Sequence, residues 1–529
     1  MRLSVQIFAY NSAIGKELRE RVAALALPPG HPGYLAPLSN PSDYQEKIFS
    51  WIRSGRGSAI VKAVAGSGKT TTIIQGVRHI PGVNVTDVRA GTFHSVGYSA
   101  ILRYLGKPAE MMKPDSGKVK RLIRENLGDV EYDLYGDYVA RLVGLAKGAG
   151  IGALVPDIED AWYGLIQHHD LFLDSQEATE ERAVQLARDF LRRSNLAAKE
   201  GTIDFDDQLY LPLLWKLRLW QNDWVIVDEA QDTNPVRRAL ARLALRPGGR
   251  LIAVGDPRQA IYGFTGASHD ALDLIQREFN CIELPLTVSY RCPRSVGAKA
   301  QELVPYFEVA PGAREGSVAS LPLREAVKRL TAHDVILCRN MAPLVNCAFG
   351  LISRDIGCTV LGKELGNGLI NLIKKMKAKG LDALLIKLEE YREREVAKFQ
   401  GRGEENKAEA ANDRIECINT VINNLDERAR TIPALIARLE ALFSDNGGVL
   451  TLSTQHKSKG REWQRVAILR PDLNPSKWAR QDWQALQEEN LMYVAWTRST
   501  DELIFLTDDE LGDDKKKAAK EHLTEMERL

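Results

Sequence analysis

The sequence predicts an α/β protein with two parallel sheets flanked by helices, each sheet interrupted by a helical insertion. Two observations carry that expectation. Short β-branched runs bounded by polar residues or glycine recur as SAIVKAV (58–64), DWVIVDE (223–229), RLIAVGD (250–256), DVILCRN (334–340), GVLTLST (448–454), RVAILR (465–470) and DELIFLT (501–507). Nearly continuous apolar strands of this kind belong to sheets covered by helices on both faces. The runs fall into groups before and after about residue 280, and two stretches, 105–200 and 366–445, instead carry Leu and Ile at helical spacing among many charges. The expected division is therefore 1–104 with 201–280 as one domain, 281–365 with 446–529 as the other, and a helical insertion in each.

At 529 residues the chain exceeds a single hydrophobic core. With 44% apolar and 27% charged residues it has the composition of an ordinary globular protein, which excludes fibrous and wholly disordered classes. Lys+Arg 71 against Asp+Glu 70 leaves a net charge of +1, which excludes a tight, charge-driven coat on a polyanion. Any nucleic-acid partner has to be argued from local sites. Cys281, Cys292, Cys338, Cys347, Cys358 and Cys417 form no CxxC pair, which disfavours a zinc ribbon or a disulfide scaffold and fits a reducing cytosol. No apolar run approaches a membrane span, and the N-terminal VQIFAY soon meets Lys16, Glu17 and Arg19, unlike a signal peptide. The expected location is cytoplasmic, nucleoid-associated when bound to DNA, with no membrane partner.

The first chemical signal follows the run SAIVKAV. Ala65-Gly66-Ser67-Gly68-Lys69-Thr70-Thr71 leads into a helix-like stretch. Glycines let successive N–H groups curl round a phosphate, Lys69 adds a mobile positive charge, and the Thr70 hydroxyl can ligate Mg²⁺. This is a Walker A loop in the expected context, although Ala63 stands where the strict pattern has its first glycine. In Trp224-Val225-Ile226-Val227-Asp228-Glu229 an apolar strand ends in two carboxylates. Asp228 is the expected metal partner and Glu229 the expected base for an attacking water, so ATP and Mg²⁺ are the expected cofactors and hydrolysis the expected chemistry.

Asp228-Glu229-Ala230-Gln231-Asp232, followed by Gly255-Asp256-Pro257-Arg258-Gln259-Ala260-Ile261-Tyr262-Gly263-Phe264-Thr265-Gly266-Ala267, resembles the UvrD/Rep/PcrA-type helicases of superfamily 1. Other motifs of that family follow in order between Gln45 and Arg498. Tyr44-Gln45 looks like the Q motif, whose glutamine pairs with adenine. Thr92-Phe93-His94-Ser95 resembles an element that touches the DNA backbone, and Asp204-Phe205-Asp206-Asp207 resembles the stretch before the Walker B strand. Ser289-Tyr290-Arg291 looks like the motif in which the tyrosine stacks on adenine and the arginine reaches the γ-phosphate. The run from Thr454 through Gln455, His456 and Gly460 to Glu462 is similar to the motif joining DNA contact to nucleotide contact, and the segment ending at Arg498 to the motif with a second arginine finger.

The resemblance implies two RecA-like P-loop NTPase domains with ATP between them, closing on ATP and reopening after hydrolysis. It makes Glu229, Gln259, Arg291 and Arg498 the catalytic set. Gln45, Ala65–Thr71, Tyr290, Gly460 and Glu462 become nucleotide contacts, and Thr70 and Asp228 metal ligands. Thr92, His94, Tyr262, Phe264, Thr454 and His456 become DNA contacts. Gln259 would sense the γ-phosphate while Tyr262 and Phe264 stack on unpaired bases, a contact worth about 1–3 kcal/mol per base. The bland alternatives are core packing for the aromatics and hydrogen-bonded core histidines for His94 and His456.

One family element is out of place. The strand and helix that follow the Walker A helix in the family are absent between Gly82 and Thr92, yet Ala9-Tyr10-Asn11-Ser12-Ala13-Ile14 resembles their pattern. The expectation is that residues 3–22 fill that slot from the other end of the chain, across the linker ALPPGHPGYLAPLSNPSD, which would make Tyr10 and Asn11 DNA contacts. An unrelated strand at the sheet edge is the alternative. The second insertion, with nearly balanced charge, reads as a solvated helical face, and the tail from Asp508 as a charged helix.

The function expected from all this is an ATP-dependent helicase or translocase on single-stranded DNA and single/double-strand junctions. The resemblance implies 3′→5′ movement. Two alternatives stay open: a motor that translocates or strips proteins within a repair or defence complex, with a protein partner and without unwinding by itself, and a slow ATP-gated binding switch.

Overall fold

The computed structural model describes residues 3–169, 171, 173, 177–261, 270–401, 405–425, 430–443, 450–476, 479, 482–509 and 511. The chain divides into two compact units, Met1–Val288 and Ser289–Leu529.

In the first unit the strands are β1 (Leu3–Ala9), β2 (Ser58–Ala63), β3 (Val83–Thr92), β4 (Asn222–Val227), β5 (Leu245–Gly255) and β6 (Cys281–Leu286). They form one parallel sheet in the order β3-β1-β4-β5-β2-β6. The helices are α1 (Ser12–Leu25), α2 (Asp43–Ser54), α3 (Lys69–Val77), α4 (Phe93–Leu105), α5 (Lys118–Asn126), α6 (Asp129–Ala149), α7 (Glu159–His168), α8 (Glu180–Glu200), α9 (Asp207–Leu214), α10 (Pro235–Leu243) and α11 (Ala271–Glu278).

Strand alternation sorts the core into two layers. Val5, Ile7, Val61, Ile226 and Val254 pack with Leu18 of α1, Ile48 of α2 and Ile74 of α3. Phe8, Ile60, Val225 and Ala253 face the other way, onto α4, α9, α10, α11 and the insertion α5–α8, where Val139, Leu142, Trp162 and Phe190 lie buried. Burying each large apolar side chain contributes about 1.5–3 kcal/mol, and coverage of both faces is why these strands read as unbroken apolar runs.

The N-terminal segment is an interior part of this sheet. β1 lies between β3 and β4, with Ala9 opposite Thr92 and Phe8 opposite Val227. Its start is tied to β4 by Ser4, whose backbone N–H and hydroxyl both donate to the Asp223 carboxylate, at 2.8 and 3.1 Å. Residues 3–10 therefore neighbour the strand that ends in Thr92, the condition under which they fill the vacant slot. The linker returns across α3, where Gln75 donates to the Ala36 carbonyl at 2.7 Å and the Arg78 guanidinium lies 5.3 Å from the Tyr34 ring.

β6 pairs with β2 from Ser58↔Cys281 to Ala63↔Leu286, so it belongs to the first sheet. The expected domain boundary at 281 thus moves to 288/289. The short strands β7 (Val288–Ser289) and β8 (Glu308–Val309) form a separate pair.

The second unit has β9 (Ser317–Leu321), β10 (Val335–Cys338), β11 (Cys358–Val360), β12 (Leu450–Thr454), β13 (Trp463–Ile468) and β14 (Ser499–Leu506), again all parallel, in the order β11-β12-β10-β13-β14-β9. Its helices are α12 (Arg294–Gln301), α13 (Leu323–Val327), α14 (Ala342–Ile352), α15 (Lys363–Lys375), α16 (Leu381–Gly401), α17 (Glu405–Asn423), α18 (Ile432–Leu442) and α19 (Asp482–Trp496). The second insertion is α15–α18, and it shares its core with the sheet: Leu384, Ile418 and Leu439 pack with Ile336 and Leu452. The insertion is thus apolar on its inner side, beyond the solvated face that its charge suggests. The cysteines are free thiols. Most of the tail from Asp508 lies outside the described residues, as do Tyr262 and Phe264. Among the described residues no helix is long and apolar enough to cross a membrane.

Candidate functional site

At the end of β2 the chain turns through Val64–Gly68 into α3. Gly66 and Gly68 have φ of 72° and 76°, a left-handed backbone open to glycine at little cost. Ala63 is still inside β2, paired with Leu286, so the loop turns without a glycine at that position. Gly68 caps α3 without any side-chain acceptor for its first N–H groups. The Ser67 hydroxyl is fully buried and has no hydrogen-bond partner among the described residues. An orphaned donor beside a helix N-terminus in a glycine loop fits an anion, and with Lys69 the loop fits the phosphates of a nucleotide.

The metal donor set also fits. Thr70 Oγ1 donates to Asp228 Oδ2 at 2.8 Å, which puts a hydroxyl and a carboxylate of α3 and β4 side by side. Among the described residues no three His, Cys, Asp or Glu side chains gather to hold a metal, so Mg²⁺ here would lean on phosphate oxygens, as it commonly does. Burial, then the neighbouring Glu229 charge, pushes the Asp228 carboxyl up to about 7. A bound cation acts in the opposite sense and favours the carboxylate.

Glu229 sits just past β4 with φ 51°, a strained backbone for a residue with a side chain. Its N–H donates to Asp228 Oδ1 at 2.9 Å, and Lys69 Nζ lies 3.8 Å from its Oε1. Its other oxygen accepts from Gln231 Nε2 at 2.6 Å. Gln231 Oε1 in turn accepts the backbone N–H of Asp256 at 3.1 Å, and Asp256 Oδ2 accepts from Gln259 Nε2 at 2.8 Å. The expected base and the expected γ-phosphate sensor are therefore joined through Gln231, which the sequence reading did not single out. Gly255 makes the approach possible, because a Cβ there would run into the Gln231 side-chain oxygen and lie 3.0 Å from its backbone nitrogen.

Gln45 is buried beside this loop. Its Oε1 accepts the Ser42 N–H at 3.0 Å in a capping box at the start of α2, and its amide donates to Thr72 Oγ1 at 3.0 Å. The side chain is thereby oriented, and an adenine edge would have to share it with these partners. Thr71 Oγ1 accepts from Arg21 Nη2 at 2.8 Å.

Two of the residues expected at DNA, Tyr10 and His94, lie near a cation that sequence reasoning missed. Arg237 of α10 lies 4.6 Å from the Tyr10 ring and donates to the Asp232 carbonyl at 3.1 Å. Burial, with the Arg237 charge second, lowers the His94 imidazole to about 4, so it is neutral near pH 7. Thr92 and Asn11 cap α4 and α1, accepting from Ser95 N and Ile14 N at 3.1 and 2.9 Å. The only local hint of Arg237 was its place one turn after Asn234-Pro235, a capped helix start.

In the second unit Tyr290 is 51% exposed. Arg291 Nε donates to Glu462 Oε2 at 2.8 Å, so two expected nucleotide residues pair with one another. Gly460 has φ 83° in the turn between them and Thr454, which ends β12. Burial, then the Arg339 charge, lowers His456 to about 4, so it too is neutral. Arg498 is 1% exposed, and its guanidinium donates to the Val494 and Arg461 carbonyls and the Thr497 hydroxyl at 2.9, 3.2 and 3.2 Å. In this arrangement the guanidinium braces the end of α19 against the Arg461 carbonyl.

Residues 78–280 match the family described as the UvrD/REP helicase N-terminal domain. The chain is 28% identical over 218 residues to a "Probable DNA helicase II homolog" of Mycoplasma capricolum, covering 39% of this chain and 28% of that protein. It is 25% identical over 226 residues to a "DNA helicase II" of Haemophilus influenzae, covering 40% of this chain and 29% of the relative. To the "ATP-dependent DNA helicase Rep" of Escherichia coli it is 35% identical over 100 residues, 17% of this chain and 15% of the relative. The matched part thus spans less than a third of each of these relatives. The phosphate loop, the Asp228–Glu229 pair and these matches point the same way: residues 78–280 carry the likeness to the UvrD/REP helicase N-terminal domain, and the chain is similar to DNA helicase II and Rep proteins over part of its length.

Proposed function

We propose that the protein is an ATP-driven motor that moves along single-stranded DNA and separates strands at single/double-strand junctions. The observation that carries the proposal is the hydrogen-bonded chain from Thr70 through Asp228 and Glu229 to Gln231 and Asp256, set beside a phosphate loop. A loop that only binds a nucleotide has no need of a carboxylate held in a strained backbone by a dedicated amide.

In this reading Lys69 and the loop N–H groups hold the phosphates, while Thr70 and Asp228 hold Mg²⁺, which supplies charge neutralisation and orientation of the phosphate oxygens. Glu229 accepts the proton of the attacking water, and Gln231 fixes which carboxylate oxygen faces it. Gln259 passes the state of the nucleotide to the segment that follows it. Arg291 and Arg498 are assigned to the transition-state charge on the strength of their motif positions alone. For Arg498 that role requires the guanidinium to leave its present acceptors. Movement in the 3′→5′ sense is likewise carried over from the family resemblance.

Since His94 is neutral, cationic grip on the DNA backbone beside Tyr10 falls in this reading to Arg237. A net charge of +1 suits a motor that must release its track at every step.

Two measurements test the proposal. ATP turnover is expected to rise severalfold with single-stranded DNA, and strand displacement is expected on a duplex with a 3′ tail but not a 5′ tail. Stimulation without displacement would favour the protein-stripping translocase, and no stimulation the slow switch. A separate check isolates Gln231. Gln231→Ala is expected to lower kcat by about tenfold or more with little change in KM for ATP, since misplacing a catalytic group by an ångström can cost that much. An unchanged kcat in steady-state phosphate release would show that Glu229 needs no such partner.

A further inference from the structure

We propose that Arg21, on the N-terminal helix α1, is a nucleotide-contacting residue that holds bound ATP at its nucleoside end; this rests on reading Ala65–Thr71 as the phosphate loop. In such a loop the lysine and the hydroxyl after it serve the β- and γ-phosphates and the metal. The residues that follow on the first turn of α3 therefore lie toward the nucleoside. Arg21 and Gln45 meet that turn at consecutive positions: Arg21 Nη2 donates to Thr71 Oγ1 at 2.8 Å, and Gln45 Nε2 to Thr72 Oγ1 at 3.0 Å.

The guanidinium is held there by packing. Leu18 and Val22 of α1 share a core with Ile73 and Ile74 of α3. Side chains on a helix lean toward its N-terminus, and α1 begins where β1 ends, so Arg21 leans toward the sheet edge that carries the phosphate loop. Its other described partner is Glu17, at 3.2 Å on the exposed surface, and the Arg21 side chain is 27% exposed. The bonds to Thr71 and Glu17 leave N–H donors over, and a partly solvated guanidinium bridging two helices is suited to an anionic or polar ligand. A simple tie between α1 and α3 would need only a neutral donor. Because β1 and α1 enter the sheet from the chain's N-terminus, the ATP site then depends on the first 25 residues as well as on the loop.

The test measures binding of a fluorescent ADP analogue, inhibition of ATP turnover by inorganic tripolyphosphate, and thermal melting without nucleotide, for Arg21→Ala and Arg21→Lys beside the intact chain. Arg21→Ala is expected to weaken ADP binding and raise KM for ATP about tenfold, the loss of one charge-assisted hydrogen bond. Turnover at saturating ATP and inhibition by tripolyphosphate should change by less than about twofold, Arg21→Lys should recover part of the affinity, and the melting temperature should hold. Glu17→Gln, which removes the competing carboxylate, should bind ADP at least as tightly as the intact chain. ADP affinity unchanged in Arg21→Ala, or a loss shared equally by ADP and tripolyphosphate with lowered melting, would overturn the proposal and leave Arg21 a strut. In the same assays Lys69→Ala must be inactive. Full turnover there would bring down the phosphate-loop reading itself, and this proposal with it.

Discussion

Glu229→Gln is expected to lower ATP turnover by about a thousandfold, measured as phosphate release in saturating single-stranded DNA, while ATP still binds. Removing a positioned general base commonly costs about 10²–10⁴ in rate. The substitution keeps the shape of the side chain and an oxygen for Gln231 Nε2, so the left-handed backbone and the link to Asp256 can persist. What is lost is the acceptor for the proton of the attacking water. Lys69, Thr70 and Asp228 are untouched, so affinity for a fluorescent ATP analogue should stay close to that of the intact chain. Lys69→Ala should instead lose binding and turnover together. Near-normal turnover in Glu229→Gln would show that the proton goes elsewhere, with Asp228 the next carboxylate to test.

The parts of this site that were legible in the sequence are those in which the chemistry is contiguous. The phosphate loop is seven residues of one turn, and Asp228-Glu229 ends one apolar strand, so the neighbours in sequence are the neighbours in space. Buried strands were legible for a related reason: β2, β4 and β5 are covered on both faces and read as apolar runs. The edge strands were not. β3 alternates between exposed and covered positions along VNVTDVRAG, and β6 buries only the ends of CIELPL, which is why the sequence places the boundary at 280/281, eight residues early. Gln231, Arg237 and Arg21 escaped because their partners are distant. Gln231 meets Asp256 25 residues on, Arg21 meets Thr71 50 residues on, and Arg237 meets Tyr10 across the sheet. Asn11, Gln45 and Thr92 were legible as motif residues, but nothing in the motifs showed that each also caps a helix.

The largest stability effect is expected away from the nucleotide. Asp207→Asn should destabilise the first unit by about 3–5 kcal/mol, the usual cost of removing one partner from a buried ion pair. That is a large share of the ~5–15 kcal/mol typical of a folded domain. The Asp207 carboxylate lies between Lys118 Nζ at 2.6 Å and Lys147 Nζ at 2.8 Å, and Lys147 also reaches Asp204 at 2.5 Å. Both lysine side chains are 0% exposed. The set is neutral as two lysines and two aspartates, and it fastens α5 and α6 of the insertion to the turn before α9. The same turn is braced internally, with Asp204 N donating to Asp207 Oδ2 and Asp207 N to Asp204 Oδ1, at 2.9 and 2.8 Å. Asparagine would leave two buried ammonium groups facing one carboxylate. Burial already lowers the Lys118 ammonium below the usual lysine range, so in the variant it is the group that sheds its proton. A folded state that binds fewer protons than the unfolded chain gains stability as pH rises. The deficit should therefore be larger at pH 7 than at pH 9, read from urea unfolding midpoints. Adding Lys118→Met leaves Lys147 paired with Asp204 and should recover part of the loss, a coupling that independent sites would lack. A midpoint for Asp207→Asn indistinguishable from that of the intact chain would mean that water reaches these lysines, and that the insertion is held by its apolar contacts alone.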